Sequence, residues 1–304
     1  MKFKLSILQV HHLRTLFLLI LFFATVRIAQ AQNTRAIEIV LDQERRSCIQ
    51  AVDGYAYLSE NMTLAQSRAA AFANARRQAL EAAKTYIQSK TKVKNFQLEY
   101  DLIMSDAEGS VTVLEQKDYG VEGNNRYHVW IKAEVVYNLS PHKAVASQAT
   151  IMNKEAPLTV KVWTDKKQYN HGEKITIFVQ GNRDYYARIV DITSNGEIIQ
   201  LLPNDYRPRN FFRGGIVYKI PSQEDRFELE VTPPYGEDNV LLYASEAPLG
   251  EVTMDSIGQG LRQYRGARSE LAFQTRGIKI VGTTTHSSTG AEFYEATWTL
   301  TTRR

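Results

Sequence analysis

An alanine-rich stretch, residues 61–90, leaves little choice of secondary structure; it reads NMTLAQSRAAAFANARRQALEAAKTYIQSK. Thr63 and Gln66 fit a capping box, in which a hydroxyl and a side-chain amide satisfy two free backbone groups at a helix start. Alanine also has the highest intrinsic preference for helix. Apolar residues recur at helical spacing on one stripe, which consists of Leu64, Phe72, Ala75, Ala79, Ala83 and Ile87. The stretch therefore predicts one long helix packed on a sheet.

Extended segments flank this predicted helix. Residues 36–43 and 47–59 precede it, with Gly54 as a bulge or a point of close packing. Residues 95–104, 109–119 and 126–139 follow it, and in the last segment apolar and polar side chains alternate with a period of two, which gives a strand one buried face. Residues 32–140 thus predict an α+β domain, a long helix on a small antiparallel sheet.

The second part of the chain has a different pattern. Residues 141–157 lose clear periodicity and are predicted to be a linker. From 158 to 304 short strands alternate with turns, and Gly172 and Gly196 stand where a positive φ costs little. This spacing predicts an all-β, immunoglobulin-like sandwich domain. Within it we expect a short helix near Ser256–Tyr264 and a closing strand at 291–300.

The N-terminus carries the pattern of a secretory leader. A cationic region leads into an apolar core, Leu16 to Val26, and Ala29-Gln30-Ala31 supplies a cleavage pattern of small residues. The alternative is a membrane anchor, but a spanning helix needs about 20 apolar residues, and Arg27 ends this run earlier. We therefore predict a signal peptide at 1–31. The mature protein would be periplasmic or secreted in a Gram-negative-type envelope and would not span the membrane.

The charge balance argues against a nucleic-acid partner. The chain has 37 Lys and Arg against 33 Asp and Glu, a formal charge of +4. Removing the leader takes away four of the 37 cations and no acid, which leaves 33 of each sign. Nucleic-acid binding would require a clustered excess of Lys and Arg. The single cysteine, Cys48, cannot form an internal disulfide, and we expect it to be buried in a strand.

The first part resembles the N-terminal domain of flagellar assembly protein T and related envelope lipoproteins. The resemblance covers about a hundred residues and lies in DGYAYLSENMTLAQSRAAAFANARRQAL, SDAEGSV and YHVWIKAEVVY. It implies an envelope-associated scaffold or binding module. The chain departs from the lipoprotein relatives in having no cysteine placed for lipidation.

The second part is similar to a bacterial domain of unknown function. The positions that carry this resemblance are Gly172-Glu173-Lys174, Asn182, Asp184, Tyr186, Gly196, Leu201, Pro203, Asn204 and Pro233-Pro234-Tyr235-Gly236. It implies an appended recognition or structural module without established chemistry.

Patterns typical of catalytic and metal sites are missing from the sequence. Histidines 128, 142, 171 and 286 have no partner at ligand spacing. There is no Gly-x-Ser-x-Gly motif, and the glycines form single turns, not a phosphate-binding loop. We predict no catalytic residue, no metal and no cofactor. An enzyme whose groups meet only in the folded protein is the alternative.

Two prolines interrupt the segment 228–245, ELEVTPPYGEDNVLLYAS. Because Pro233 and Pro234 cannot donate ladder hydrogen bonds, the strand before them must stop or lie at an edge. Gly236 then lets the chain turn into the next strand. We expect a structural corner, with a recognition role for Tyr235 as the alternative.

The loop 204–215, NDYRPRNFFRGG, is the candidate binding site. Aromatic and guanidinium side chains are enriched at interface hot spots, and binding residues often lie on loops. The candidates are Tyr206, Arg207, Arg209, Phe211, Phe212 and Arg213, together with Tyr235 on the corner. Alternatively, Phe211 or Phe212 fills the core while the arginines are solvated.

These patterns predict a non-catalytic, exported envelope protein that binds or scaffolds another protein or an envelope polymer. The alternative is an enzyme that acts on an envelope substrate. A cleft containing carboxylates with perturbed pKa values would favour the enzyme. An exposed aromatic and arginine patch without such a cleft would favour binding. The sequence leaves the oligomeric state of the protein open.

Overall fold

A computed structural model describes residues 44–91, 100–104, 111–123, 125–141, 153–277 and 290–304. The predicted leader, 1–31, and the predicted strand at 36–43 lie outside these residues. From Arg45 onward the chain forms one compact unit. The described part is mostly β-structure with two helices.

The elements follow one another in two groups. The first group is β1 (Glu44–Tyr57), α1 (Leu64–Thr91), β2 (Tyr100–Met104), β3 (Val111–Glu122) and β4 (Arg126–Pro141). The second group begins with β5 (Val160–Thr164), β6 (Gln168–Asn170), β7 (Ile177–Gly181), β8 (Tyr185–Ile192), β9 (Ile198–Leu202), β10 (Phe211–Phe212) and β11 (Tyr218–Ile220). It ends with β12 (Glu237–Ser245), β13 (Asp255–Gly258), β14 (Leu261–Tyr264), α2 (Arg268–Thr275) and β15 (Gly290–Arg303).

Helix α1 begins at the predicted capping box. The backbone N–H of Thr63 donates to Gln66 Oε1 (2.8 Å), and the N–H of Gln66 donates to Thr63 Oγ1 (3.2 Å). The buried apolar side chains of α1 are Ala71, Ala75, Ala79, Ala83, Tyr86 and Ile87. The predicted stripe is thus confirmed over most of its length, but Leu64, in the first turn, is 57% exposed. Within the part of the chain described here, no helix has the length and apolarity that crossing a membrane requires.

Helix α1 packs on an antiparallel sheet built from β1, β3 and β4. The predicted alternation in β4 is confirmed, because Val129, Ile131 and Ala133 are buried beneath the helix. Gly54 of β1 permits the close approach, since a Cβ there would lie 2.4 Å from the Ala71 carbonyl oxygen. The helix-on-sheet arrangement predicted for the first part is therefore supported in outline.

The second part packs two sheets face to face. A three-stranded sheet, β11-β7-β5, lies against the face formed by β8, β12 and β15. The core between them holds Val179 and Ile220 from the small sheet and Leu242 and Tyr294 from the large one. On the opposite face of the large sheet, α2 covers a separate cluster that includes Tyr243.

Strand β15 joins the regions predicted as two domains. It pairs with β12 in antiparallel register and with the short strand β6 in parallel, and it lies next to β1 in the sheet order. The sheet order is β13-β14-β9-β8-β12-β15-β1-β4-β2, so one sheet runs through both regions. The boundary at 141–157 stays a prediction, since residues 142–152 of the predicted linker lie outside the described chain.

The prediction of a helix near Ser256–Tyr264 is wrong. These residues form the hairpin of β13 and β14. Gln259 and Gly260 adopt positive φ values of 52° and 73° at its tip, a conformation that makes tight turns and ends helices. The helix that does form, α2, begins four residues after β14.

Candidate functional site

A cavity of about 510 Å³ opens at one end of the core between the two sheets. Its floor comes from one face of β8, β9, β12 and β15. Its opposite wall is the segment 228–234, which contains the two prolines, together with Ile175 and Ile177. The tip of the β13–β14 hairpin closes a third side with Gln259 and Leu261.

Strand register places two aspartates on the cavity floor. Asp191 of β8 lies opposite Val240 of β12, and Asp238 lies two residues before Val240. Because side chains on a strand alternate between faces, opposite residues and residues two apart share one face. Both carboxyl groups therefore line the same cavity as the surrounding apolar residues, Ile199, Leu201, Val240, Leu261 and Leu300.

The carboxyl group of Asp191 is not compensated by the fold. Its Oδ1 atom is shielded from solvent and has no hydrogen-bond partner within the described ranges. Burial raises the pKa of Asp191 to about 7, and the nearby carboxylate of Asp238 adds to the rise. Desolvation disfavours the charged form of a carboxyl group, so Asp191 changes its charge close to neutral pH.

Asp238 differs from Asp191 in having partners for both oxygens. Its Oδ1 accepts from the backbone N–H of Ser194 (2.8 Å), and its Oδ2 accepts from the Thr302 hydroxyl (3.2 Å). Burial raises the pKa of Asp238, while these two hydrogen bonds act in the opposite direction.

Three glutamates stand around the aspartates. Glu197 accepts from Gln263 Nε2 (3.3 Å), and Glu228 pairs with Lys174 (2.7 Å) at the exposed rim. Glu230 is the third. None of the described residues that line the cavity is Lys, Arg or His. The cavity is therefore acidic at its floor and rim, with apolar side chains between.

The proline corner forms one wall of this cavity. The segment before it is tied to the neighbouring turn, because Ile175 N–H donates to the Leu229 carbonyl (2.8 Å) and Val231 N–H donates to the Glu173 carbonyl (3.0 Å). After Val231 this pairing ends, and Pro233 and Pro234 continue along the cavity. Tyr235 lies just beyond, half-buried, with its hydroxyl 3.0 Å from His171 Nδ1.

The structure divides the residues predicted in the loop 204–215 into two sets. Phe212 is fully buried in the core and stacks on Tyr185, with ring centroids 5.2 Å apart. Arg207 pairs with Asp225 (2.9 Å) and lies over the Phe212 ring. The exposed set consists of Tyr206, Arg209, Phe211 and Arg213.

The exposed part of this loop borders the cavity through the β13–β14 hairpin. Asp205 N–H donates to the Gly260 carbonyl (3.2 Å), and Asp205 pairs with Arg262 (3.0 Å). The Tyr206 ring lies so close to Gly260 that a Cβ there would be 2.5 Å from it. The start of the loop thus adjoins the hairpin tip that borders the cavity, whereas Tyr235 packs against the core between the sheets and contacts His171.

A match to known proteins falls on this region. Residues 168–248 match a domain of unknown function (DUF4384). The DUF4384 region spans β6 to β12, and it contributes Asp191, Asp238 and the proline corner to the cavity. The match confirms the predicted resemblance of the second part to a domain of unknown function. No curated protein matches the chain significantly, and the resemblance of the first part to flagellar assembly protein T stays a prediction.

Metal-binding groups and the single cysteine add no candidate site to the part of the chain that the structure describes. Among the residues it describes, no group of three or more His, Cys, Asp or Glu side chains is arranged to hold a metal ion. Cys48 is buried in β1, as predicted. Burial raises the pKa of its thiol to about 12, so the thiolate that a nucleophilic cysteine requires does not form near neutral pH.

Sequence reasoning missed Asp191 and Asp238. The available signal was an acid within the apolar run YYARIVDI of β8. Charged residues are rarely buried without a partner, so an aspartate in such a run marks either a strand end or a functional position. Only the pairing of β8 with β12 shows that Asp191 shares a cavity with Asp238.

Proposed function

We propose that this protein is a non-catalytic, exported module of the cell envelope that binds another protein or an envelope polymer through the cavity of its DUF4384 region. One observation carries the proposal. An open cavity lined in part by apolar side chains holds the carboxyl group of Asp191, whose Oδ1 atom has no hydrogen-bond partner among the described residues. Binding sites are typically concave and mostly apolar, with a few polar groups that fix the ligand.

The exposed loop residues extend this site. Tyr206 and Phe211 are 50% and 47% exposed, and Ile216 and Val217 nearby are 45% and 49% exposed. Exposed aromatic side chains on a loop are among the types enriched at interface hot spots. The partner therefore contacts the loop while one of its groups enters the cavity.

Location and architecture belong to the same proposal. The leader pattern at 1–31 supports a location of the mature protein in the periplasm or outside the cell. The helix-on-sheet part, 32–140, serves as the scaffold that presents the binding part. We also retain the immunoglobulin-like description of the second part, on the basis of its two facing sheets.

A capture experiment tests the binding function. Mature protein is immobilised and exposed to extracts of the native envelope, and bound material is analysed for proteins and for polymer. Thr232 is exposed and lines the cavity, so Thr232→Arg fills the cavity and supplies a cation of its own. We expect this variant to lose the captured partner.

Thr253→Arg is the matched control, because Thr253 is also exposed but does not line the cavity. A second variant, Tyr206→Ala with Arg209→Ala, tests the loop and should weaken capture. Equal recovery of every component by wild type and Thr232→Arg would refute the cavity as the binding site.

The structure also favours a second candidate function, hydrolysis of an envelope substrate. Asp191 and Asp238 lie in one cleft, and burial raises the pKa of both. Perturbed carboxyl groups in a cleft are typical of general acid–base sites. In this reading Asp191, protonated near neutral pH, donates a proton to the leaving group.

Turnover decides between the two functions. Purified mature protein is incubated with envelope polymers and peptides, and products are followed by mass spectrometry. Product formation that Asp191→Asn abolishes would establish the enzyme, whereas capture without turnover supports the binding module. Asp255→Asn, an exposed aspartate outside the cavity, controls for a loss of charge alone.

A further inference from the structure

The cavity of the DUF4384 region contains a carboxyl group, that of Asp191, whose ionised form is not balanced by a cation among the described residues that line the cavity. Asp238 accepts two hydrogen bonds, and Glu228 has Lys174 as its partner. Oδ1 of Asp191 receives no hydrogen bond from the described residues. The Asp191 carboxyl group shares the cavity with apolar side chains. A buried carboxylate without a cation or a donor is costly. A ligand cation that contacts the second oxygen of this carboxylate, Oδ2, would reduce this cost.

We propose that the cavity binds an alkylammonium group, a primary ammonium on an unbranched apolar stem, with Asp191 as its counter-ion. This inference rests on the proposed binding function and specifies the chemistry of its ligand. Two sources carry that chemistry: the lysine side chain of a protein partner and a free diamine.

The walls of the cavity fit the apolar stem. The cavity that holds the Asp191 carboxyl group is also lined by aliphatic side chains, among them Ile175, Ile199 and Leu261. Long cationic side chains bury their methylene stems on apolar surface while the charge seeks a polar environment. An inorganic cation would leave these walls without contacts.

The carboxyl geometry favours ammonium over guanidinium. Guanidinium binds carboxylate best through two parallel hydrogen bonds, which need both oxygens. Oδ1 of Asp191 has no accessible surface, and both oxygens of Asp238 already accept hydrogen bonds. Neither carboxyl group therefore has two free oxygens for a guanidinium group. An ammonium group is a compact point charge and can bind a single carboxylate oxygen.

Among the described residues, every charged side chain that lines the cavity with Asp191 is acidic. Asp238 projects from β12, Glu197 from the turn after β8, and Glu228 and Glu230 from the opposite wall. Lys174 is held by Glu228 at the exposed rim. These acids attract a cation toward the cavity, and none of them neutralises Asp191.

A set of matched probes tests the inference. Nα-acetyl-lysine methylamide is compared with the norleucine and arginine derivatives, which share its backbone, and with 1,5-diaminopentane. Binding to the full mature protein is measured by NMR titration. We expect the lysine derivative to bind at least tenfold more tightly than the norleucine derivative, and more tightly than the arginine derivative. Comparison of the lysine derivative with the diamine distinguishes the two sources.

Variants and pH give two further readouts. Asp191→Asn should lower the affinity for the lysine derivative to that of the norleucine derivative, whereas Asp255→Asn should leave it within twofold. Because the pKa of Asp191 is about 7 and the probe stays charged, affinity should rise about thirtyfold from pH 5.5 to pH 8.

Equal affinity for the lysine and norleucine derivatives, no binding of any amine, or full affinity in Asp191→Asn would each overturn the inference. The proposed binding function fails separately. If Thr232→Arg still abolishes capture of the envelope partner while no amine probe binds, the cavity is a binding site for a different chemistry. If Thr232→Arg captures the partner as well as wild type, the proposed binding through the cavity is wrong.

Discussion

The hydroxyl of Tyr137 donates a 3.0 Å hydrogen bond to Glu292 Oε1, and both side chains are buried. Tyr137 belongs to β4 in the first predicted domain, and Glu292 belongs to β15 at the end of the chain. The other oxygen of Glu292 accepts from the backbone N–H of Leu158 (3.0 Å), and Arg183 pairs with the same carboxylate. One carboxylate therefore binds groups from three other segments of the chain.

Replacing Glu292 by Ala should destabilise the whole protein. The change leaves Arg183, which is only 14% exposed, without one of its acidic partners, and it leaves the Tyr137 hydroxyl without an acceptor. Removing one partner of a buried ion pair costs about 3–5 kcal/mol. Urea unfolding measures the change in the free energy of unfolding.

Glu228→Ala is the control for this prediction, because its pair with Lys174 is exposed on both sides. Exposed pairs contribute about 1 kcal/mol or less. A loss below 1 kcal/mol for Glu292→Ala would contradict the view that this carboxylate holds the segments together.

Gly54 should not tolerate a side chain. A Cβ at this position would lie 2.4 Å from the Ala71 carbonyl oxygen and 2.5 Å from Ala75 Cβ. Gly54→Ala therefore forces α1 away from the sheet, and overpacking of this kind costs about 1–3 kcal/mol. The midpoint of thermal unfolding is measured for Gly54→Ala and for Gly123→Ala. Gly123→Ala is the control, because a Cβ at Gly123 meets nothing within 4 Å. Equal midpoints would show that the helix can move aside without cost.

The local parts of the fold were predictable, because the buried face of a helix or strand requires apolar residues at regular spacing in the sequence. The capping box of Thr63 and the alternation in β4 are examples. The hairpin at 255–264 was misjudged because its apolar spacing suits a helix as well as a strand. The residue type does not indicate the positive φ at Gln259, because this conformation is typical of glycine and not of glutamine.

Contacts between distant segments were not predictable in the same way. The sheet joins β15 to β1 across most of the chain, and a single sequence carries no pattern for such pairing. The cavity depends on these contacts too, since Asp191 and Thr302 meet there from β8 and β15. The residue types of the loop 204–215 predict a binding site. Only the structure shows that Phe212 is buried and Phe211 is exposed.

The two phenylalanines of that loop should therefore behave differently. Phe212 is fully buried and stacks on Tyr185, so Phe212→Ala should cost about 3–5 kcal/mol of stability. Phe211 is 47% exposed, so Phe211→Ala should change stability by less than about 1 kcal/mol while it weakens capture of the partner. Each variant is examined by urea unfolding and by the capture experiment. Similar losses of stability in the two would contradict the division of the loop into core and surface residues.

Asp191 should make the protein less stable as the pH rises. Its pKa is about 7 in the folded protein, whereas an aspartate in an unfolded chain has a pKa of about 3.9. Between these values the folded state binds a proton that the unfolded state has lost, so folding stability falls with rising pH. The penalty is absent below about pH 4, grows up to about pH 7 and is constant above it.

Asp191→Asn removes this titration and keeps the shape of the side chain. The variant should match wild type at pH 4 and exceed its free energy of unfolding by roughly 2–4 kcal/mol at pH 8, since each pKa unit corresponds to about 1.4 kcal/mol. Urea unfolding at four pH values measures the difference, and taking that difference removes the titration of distant groups. Glu224→Gln, an exposed carboxylate, should show no such trend. A difference between Asp191→Asn and wild type that does not change between pH 4 and pH 8 would mean that Asp191 titrates in the folded protein as it does in the unfolded chain, so that the fold does not penalise its charge. The alkylammonium ligand would then lose its physical basis.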